Sequence, residues 1–322
     1  MVTSTKKNTS QIKDSSLFNW KLISTGVTAI YNIYVADTNN VFFESGPLLG
    51  YYDGDSIKYI TETQNHFRVC IDGFNSQNVY FAGFMNVNPP HSALEKWNGS
   101  SIENIQFPSY DTNTTLQNIL VTGPDNVWII VLPHYIYHYE NSTFTLYDLT
   151  IHDLFQPEFF KDQLNNLYLF GSIGISNNTN IFYTFKLNGN SWDNILKDTL
   201  VEYTSELTLI KGKCGKDYMR YGLHGVYIFN GNGWSLAAQV PDINMNVFAG
   251  ENGLKFLSGG NTSTDRNDKL YFYTGSEFLL QSNFVIPLIQ YDITSMGEKN
   301  GIYYGALLTV NYPNYFFIGK PK

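Results

Sequence analysis

The sequence predicts an all-β fold of seven similar units, and three observations support this prediction. The first is a series of hairpin turns, of which Asn230-Gly231 is the clearest. A two-residue loop between right-twisted strands needs positive φ, which Asn and Gly tolerate best. Seven such turns occur, and their second residues are 45, 42, 48, 42, 44 and 44 positions apart: Gly54, Gly99, Asn141, Gly189, Gly231, Gly275 and Gly319. Repeats of about 44 residues with short strands indicate the blades of a β-propeller.

The second observation is a polar turn followed by an apolar run ahead of each hairpin. Asn78 precedes Val79-Tyr80-Phe81, and Asn126 precedes Val127-Trp128-Ile129. Such residues suit a pleated strand, and a strand covered on both faces by neighbouring blades is continuously apolar. We assign these turns to the connection between strands A and B of a four-stranded blade, and the hairpins to the connection between strands C and D.

The third observation concerns the two ends of the chain. Residues 18–23 resemble the outer strands that follow the hairpins, such as residues 192–196, but they precede any complete blade. The seventh blade stops just after Gly319 and lacks an outer strand. We therefore predict that residues 18–23 complete blade 7 and close the ring, because the backbone groups at the edge of strand C would otherwise lack partners.

These assignments divide the chain into a flexible tail over 1–16 and a single propeller domain over 17–322. The predicted blades cover residues 25–60, 65–106, 115–149, 157–197, 206–240, 245–282 and 288–319, the last completed by 18–23. The tail is rich in Ser, Thr, Lys, Asn and Gln. It fits either an ordinary disordered terminus or the tether left when a signal or lipoprotein peptide is removed. We expect an extracellular or cell-surface protein, and a cytoplasmic one stays open.

Composition narrows the classes of partner. Charged residues are 15% of the chain and aromatic residues 16%, which fits a large β core rather than disorder. The net charge of −8 argues against nucleic acid and against an anionic membrane surface. No apolar run is long enough to span a bilayer. We expect a monomer that binds a protein or a glycan and does not insert into a membrane.

The cysteines do not predict a disulfide bond, and the histidines do not predict a metal site. Cys70 and Cys214 fall on the first strands of blades 2 and 5, and a disulfide needs Cα atoms within about 7 Å, so we predict that both are free. His134 and His138 lie on one strand about 13 Å apart, too far to bind one metal. No Gly-rich phosphate loop is present, and we predict no cofactor.

Two hairpin segments resemble known propeller repeats. Residues 185–192 and 227–234 resemble the bacterial repeats related to the Asp-box (BNR) and kelch groups, because the turn Gly and the Trp three residues later match. The leading Ser of the Asp box is missing, and Asn replaces its Asp. For sialidases, the resemblance implies an arginine triad that binds a carboxylate. This chain has three arginines, Arg68, Arg220 and Arg266, but no recognisable Tyr-Glu nucleophile pair.

A glycoside-active enzyme is the alternative function. Glycosidases use paired carboxyl groups, and the candidates near inner strands are Asp37, Asp72, Asp162 and Asp292. A propeller also places polar residues there for solvation alone. We therefore leave the catalytic residues unassigned.

The favoured function is a non-enzymatic binding module. The B–C connections are long in blades 2, 4, 6 and 7, over residues 84–93, 172–180, 259–268 and 307–314, and long polar loops on a rigid scaffold commonly carry function. Amide, hydroxyl and aromatic groups in these loops suit sugar or peptide recognition. The candidate ligand-binding residues are Asn88, His91, Asn178, Arg266, Tyr312 and Tyr315.

Overall fold

A computed structural model gives the fold for most of the chain. It describes residues 13–27, 29–60, 66–85, 91–108, 115–132, 135–149, 151, 154–162, 164–176, 179–201, 219–222, 225–229, 233–238, 244–249, 256–261, 265–274, 277–286, 291–309 and 314–322. Within these ranges every regular element is a β-strand. The part of the chain so described contains no helix with the length and apolarity needed to cross a bilayer.

The strands fall into seven sheets. Two N-terminal strands come first, β1 (Lys13–Ser15) and β2 (Phe18–Ser24). Blade 1 contains β3 (Asn32–Asp37), β4 (Asn40–Ser45), β5 (Leu48–Tyr52) and β6 (Ile57–Ile60). Blade 2 contains β7 (His66–Asn75), β8 (Asn78–Met85), β9 (His91–Trp97) and β10 (Ile102–Ile105). Blade 3 contains β11 (Thr115–Gly123), β12 (Asn126–Leu132), β13 (Tyr135–Glu140) and β14 (Thr143–Asp148). Blade 4 contains β15 (Phe155–Lys161), β16 (Leu167–Ser176), β17 (Thr179–Asn188) and β18 (Ser191–Val201).

The last three blades complete the ring. Blade 5 contains β19 (Met219–Gly222), β20 (Gly225–Phe229) and β21 (Trp234–Ala238), and its predicted first strand lies outside the described residues. Blade 6 contains β22 (Asn244–Ala249), β23 (Phe256–Asn261), β24 (Asp265–Tyr273) and β25 (Phe278–Gln281). Blade 7 contains β26 (Tyr291–Lys299), β27 (Ile302–Thr309), β28 (Tyr315–Pro321) and, as its outer strand, β2.

The order of the sheets confirms the seven-bladed propeller. Consecutive strands within each blade pair antiparallel. The first strands of neighbouring blades contact one another from β22 through β26, β3, β7 and β11 to β15, so strand A is innermost in blades 1 to 4, 6 and 7. The predicted A–B turns are found in blades 1 to 4 and 7, and the predicted C–D hairpins are found in blades 1 to 4. The predicted hairpin at Ile318-Gly319 is wrong: both residues lie within β28, which runs on to Pro321 because its outer partner comes from the N-terminal segment. The predicted turns at 216–217, 230–231, 252–253 and 275 lie outside the described residues.

The predicted closure by residues 18–23 is also confirmed. Strand β2 pairs with β28 along its whole length, with Trp20 opposite Gly319 and Leu22 opposite Phe317. Phe18 and Phe317 are buried in the core of blade 7. The outer edge of β28 is therefore satisfied by the N-terminal segment.

Asn314, just before β28, stabilises the closure of the ring through hydrogen bonds. Its Nδ2 donates to the Val27 carbonyl at 2.9 Å, and its Oδ1 accepts from the Thr309 N–H at 2.7 Å. The Asn314 carbonyl accepts from both the N–H and the hydroxyl of Thr25, at 3.1 and 3.0 Å. One buried side chain thus joins strands B and C of blade 7 to the segment that follows β2.

The N-terminal segment does more than the sequence predicts. Lys13–Ser15, assigned to the tail, form β1, which pairs parallel with β25 as a fifth strand of blade 6. The Ser15 carbonyl accepts from the N–H and the hydroxyl of Ser282, at 3.0 and 3.1 Å. An outer strand offers a row of unpaired backbone groups, and any adjacent extended segment can satisfy them. Residues 1–12 lie outside the described residues.

The cores lie between blades, as strand β12 illustrates. Val127, Ile129 and Val131 pack with blade 2, whereas Trp128 and Ile130 pack with blade 4. All five are buried, and each contributes roughly 1.5–3 kcal/mol of hydrophobic burial. The continuous apolar run predicted from the sequence is explained by this double coverage. Cys70 is buried and forms no disulfide within the described part of the chain, while Cys214 lies outside the described residues.

Candidate functional site

The two faces of the ring carry different connections between strands. In blade 2, His66 at the start of strand A pairs with Met85 at the end of strand B, and Met85 pairs with His91 at the start of strand C. Strands A and C therefore begin at one face, and strand B ends there. We call this the upper face; it carries the B–C and D–A connections. The lower face carries the A–B and C–D turns.

A buried charge cluster lies at the upper face between blades 1 and 2. Arg68 donates from Nε to Glu95 Oε2 at 2.8 Å, and its Nη2 lies 2.7 Å from the same oxygen. Its Nη1 donates to the Pro47 carbonyl of blade 1 at 2.9 Å. His66 Nδ1 lies 2.7 Å from Glu95 Oε1 but is not aligned for a hydrogen bond. All three side chains are buried, so the cluster joins the two blades rigidly.

Glu44 adds a second carboxyl group to this region. Asn32 Nδ2 donates to Glu44 Oε1 at 2.8 Å, while Glu44 Oε2 is buried without a hydrogen-bond partner among the described residues. Burial raises the pKa of Glu44 from 4.5 to about 7, although Asn32, the Gly46 N–H and the charge of Arg68 oppose the rise. This carboxyl group therefore takes up and releases a proton near neutrality.

Four apolar side chains at the upper ends of blades 1 and 2 are exposed. Tyr31 is 52% exposed, Leu48 44%, Phe67 37% and Val69 36%. We call these four residues the upper patch. Asn32 Nδ2 donates to the Val69 carbonyl at 3.1 Å, and the Arg68 N–H donates to the Gly46 carbonyl at 3.4 Å, so the patch residues of both blades are held by the same contacts.

Strand β7 shows how the sequence creates this arrangement. His66, Arg68 and Cys70 are buried, while Phe67 and Val69 between them are exposed. The usual preference of a half-buried strand is inverted, since charged side chains point into the protein and apolar ones into solvent. Phe67 also stacks on Phe84 of the neighbouring strand, with ring centroids 5.4 Å apart. Exposed apolar groups on a rigid strand favour a contact surface.

Of the six residues predicted to bind ligand, the structure describes three, which lie on three different blades. His91 is the exposed first residue of β9, on the rim of blade 2. Tyr315 begins β28 and packs on the core of blade 7, so it supports the ring closure. Arg266, predicted in a loop, is the second residue of β24. Asn88, Asn178 and Tyr312 lie outside the described residues.

The predicted long loops are shorter than the sequence suggested. Residues 172–176 and 259–261 continue strands β16 and β23, and residues 265–268 belong to β24. Paired strands satisfy backbone groups that an irregular loop would leave to water. Blades 4 and 6 therefore present strand ends where the sequence indicated loops.

Three of the four channel carboxylates have structural contacts. Asp37 accepts from the Asn39 N–H at 2.8 Å, and Asp162 accepts from the Asn166 N–H at 2.9 Å, so both order A–B turns on the lower face. Asp72 is buried and accepts from the Val121 N–H of blade 3 at 2.9 Å. Asp292 is exposed at the upper end of β26. These contacts favour a structural role for Asp37, Asp72 and Asp162, which hold the inner strands and their turns, over a role as a pair of catalytic carboxyl groups.

The described residues also differ from the arginine triad that a sialidase would need. Arg68 is committed to Glu95, so its guanidinium does not face an open site. Among the residues that the structure describes, no three His, Cys, Asp or Glu side chains are grouped to hold a metal ion.

The fold defines the chain as a seven-bladed β-propeller. Similar solved structures include YCF48 bound to D1 peptide, with 12% identity and a TM-score of 0.68 over 97% of this chain and 100% of that chain. YCF48 from Cyanidioschyzon merolae has 11% identity and a TM-score of 0.64 over 94% and 98%. A chain of the mitotic checkpoint complex has 10% identity and a TM-score of 0.58 over 98% of each chain. At these identities the similarity shows the fold alone. No family model and no curated protein matches the sequence.

Proposed function

We propose that this propeller is an interaction module that binds a protein through the upper patch. The observation that carries the proposal is that Tyr31, Leu48, Phe67 and Val69 are each exposed and all belong to the upper ends of blades 1 and 2. Exposed apolar groups lose contact with water when a partner covers them, which contributes about 25 cal/mol per Å².

The scaffold beneath the patch suits this role. The Arg68–Glu95 pair fixes strand β7 against blade 1, so the patch residues are held before a partner arrives. Binding to a preorganised surface avoids part of the entropy cost of association. The similar structure of YCF48 contains a bound D1 peptide, which supports a peptide or protein ligand for a propeller of this size.

A selection from a phage-displayed random peptide library tests the proposal. Peptides enriched on the wild-type protein are measured against the double variant Leu48→Ser/Phe67→Ser. We expect at least tenfold weaker binding by the double variant, since most binding energy resides in a few apolar contacts. The matched control is Leu164→Ser, a change at an 82%-exposed leucine on the lower face, and it should bind normally. Equal binding by all three proteins, or no enriched peptide, would overturn the proposal.

A glycan is the alternative ligand, because aromatic side chains such as Tyr31 and Phe67 also stack on sugar rings. Binding on a glycan array that the same double variant abolishes would favour it over a protein. A glycoside-active enzyme stays the less favoured function, given the structural contacts of Asp37, Asp72 and Asp162.

The proposal also includes the cellular location and the oligomeric state of the protein. The polar N-terminal segment supports a location at the cell surface or outside the cell, and we propose that the protein acts there as a monomer. The hairpin strings support a bacterial propeller of the Asp-box and kelch type. Sedimentation analysis and fractionation of the native host test the oligomeric state and the location.

A further inference from the structure

The inner strands of the propeller share a β-bulge at one level. In blade 2, the pairing of β7 with β8 skips Val69, which is therefore an extra residue opposite strand B. The extra residues of strand A in blades 3, 6 and 7 are Gln117, Asn246 and Thr294. In these four blades the bulge faces the second and third residues after an aromatic residue of strand B: Tyr80, Trp128, Phe256 or Tyr304.

Blades 1 and 4 have a bulge at the same level. In blade 1, Asn32 is the register partner of Glu44, and the Tyr31 N–H also donates to the Glu44 carbonyl at 3.3 Å, so two residues oppose one. In blade 4, residues 156 and 157 together oppose Gly171. A bulge bends its strand and redirects a side chain, and bulges are common beside functional sites. The inner strands of these six blades therefore repeat one device.

In four consecutive blades the bulge brings a side chain to the wall of the central channel. The residue before the bulged one is buried in each of them: Ile30, Arg68, Leu116 and Ile293. Tyr31 and Val69 are exposed, and Gln117 and Thr294 are partly exposed. Because strand A is the innermost strand of these blades, we assign the exposed level to the channel wall. We call Tyr31, Val69, Gln117 and Thr294 the channel arc.

Hydrogen bonds between the blades place the members of the arc beside one another. Thr294 Oγ1 donates to the carbonyl of Ile30, which directly precedes Tyr31, at 2.6 Å. Asn32, which directly follows Tyr31, donates from Nδ2 to the Val69 carbonyl at 3.1 Å. Strand β11 of blade 3 packs against β7. The arc therefore runs from blade 7 to blade 3, and Tyr31 and Val69 make it continuous with the upper patch.

The side chains of the channel arc are all uncharged at neutral pH. Charged groups near it on the same strands point elsewhere, since Arg68 pairs with Glu95 and Asp72 accepts from a backbone N–H of blade 3. Asp292 is exposed two residues, or about 7 Å, from Thr294 toward the upper end. A charged group brought to the arc would lose its water without gaining a counter-ion, whereas uncharged polar groups find hydroxyl and amide partners there.

From this lining we propose that the partner of the upper patch inserts a segment of its chain into the channel mouth, and that this segment brings only uncharged side chains to the channel arc. The inference rests on the proposed function and deepens it by naming the chemistry of the ligand. Apolar groups of the segment contact Tyr31 and Val69, while its hydroxyl, amide or backbone groups form hydrogen bonds with Gln117 and Thr294. The flanking residues of the partner cover the rest of the patch.

Two substitutions at Gln117 test the inference with the peptides selected as described above. Gln117→Trp adds bulk at the level of the arc and leaves every patch residue unchanged, while Gln117→Glu keeps the shape and adds a charge. The matched controls on the lower face are Leu164→Trp for bulk and Gln77→Glu for charge, both at exposed positions. Thermal melting checks that each variant is folded.

A scan of the peptides tests the chemistry of the inserted segment on the wild-type protein as well. In each selected peptide every residue is replaced in turn by Lys and by Glu, and dissociation constants are measured by fluorescence anisotropy. This scan needs no variant of the propeller, so it applies even where a substitution at Gln117 prevents folding.

We expect the peptides that need the upper patch to bind Gln117→Trp at least about tenfold more weakly, as loss of a central contact allows, and both controls normally. A short contiguous stretch of each peptide should lose at least about tenfold in affinity with either Lys or Glu, because each charge is buried without a partner. A Lys in that stretch should cost less on Gln117→Glu than on the wild type, since the two charges then pair.

The outcomes separate this inference from the function on which it rests. Peptides that need the patch but bind both Gln117 variants like the wild type, or that accept Lys and Glu at every position, would overturn the inserted segment and leave the interaction module intact. Array glycans that lose binding to Gln117→Trp, without any such peptide, would assign the arc to a sugar and overturn it too. If no selected peptide depends on the patch, the proposed function fails and the inference fails with it.

Discussion

The Trp20 ring lies directly over Gly319, and this contact joins the two ends of the chain in one cross-strand pair. A Cβ on Gly319 would lie 2.1 Å from the Trp20 ring, closer than any packed atoms can approach. The ring also packs edge-on against Phe284 and Phe317, with centroids 4.9 and 5.9 Å apart. Because Gly319 has no side chain, β28 leaves a space at this position, and the Trp20 ring of β2 fills it.

Gly319→Ala should destabilise the protein by about 1–3 kcal/mol, because the added methyl group displaces a packed indole. Urea unfolding measures the loss. Gly233→Ala is the matched control, since a Cβ there meets no atom within 4 Å. Trp20→Leu in the Gly319→Ala background should recover part of the lost stability. Equal midpoints for Gly319→Ala and Gly233→Ala would show that the contact does not stabilise the closure.

Removal of residues 17–23 should cause aggregation or a large fall in the melting temperature. Strand β28 would lose its partner, and the buried Phe18 would no longer cover the core of blade 7. Static light scattering and thermal melting measure the effect. A deletion of residues 1–12 is the control, because it leaves both β1 and β2 in the chain. A 17–23 deletion that melts like the parent would contradict the closure.

The sequence predicted this architecture because its period and turns are local. Asp53-Gly54 and Asn98-Gly99 each mark a hairpin between strands C and D, whereas Ile318-Gly319 does not, because its strand continues. The surplus strand around Trp20 matched the outer strand that blade 7 lacks. Strand β1 was not predictable in this way. Lys13-Asp14-Ser15 have no strand propensity, and they pair only because blade 6 leaves an edge open beside them.

The candidate site was much harder to predict than the fold. His91, Arg266 and Tyr315 were chosen as loop residues, but which side chains meet at a surface depends on contacts between blades. The segment His66-Phe67-Arg68-Val69-Cys70 did contain a signal, because charged and apolar residues alternate in it. Alternation of this kind normally predicts that the apolar set is buried. Here the buried contacts of Arg68 and His66 with Glu95 and the register shift at Val69 oppose that pattern.

Arg68→Ala should cost about 3–5 kcal/mol, because it leaves the Glu95 carboxylate buried beside His66 without its cation. The double change Arg68→Met/Glu95→Leu removes both charges and should recover most of the loss. Chemical denaturation of the two variants and the wild type measures the difference. Cys70→Ala, at a buried position of the same strand, reports the cost of a small cavity alone. A double variant no more stable than Arg68→Ala would show that the charges are not coupled.

Glu44 should make the stability of the protein fall as pH rises from about 4.5 to about 7. Its pKa is raised from 4.5 to about 7 by burial, so in that window the native state holds a proton that the unfolded chain releases. Unfolding then becomes more favourable with each step up in pH. At 1.36 kcal/mol per pKa unit, the full effect is about 3 kcal/mol, absent below pH 4.5 and complete above pH 7.

Glu44→Gln resembles the protonated acid at every pH, with an amide nitrogen in place of the unpartnered Oε2. The difference in unfolding free energy between wild type and variant, measured by urea titration from pH 4 to pH 8, should therefore change by about 3 kcal/mol in favour of the variant. Groups that titrate in both proteins cancel in this difference. Glu103→Gln, an exposed acid on the outer strand of blade 2, should give a flat difference. A flat difference for Glu44→Gln as well would mean that the pKa of Glu44 is the same in the native protein and in the unfolded chain.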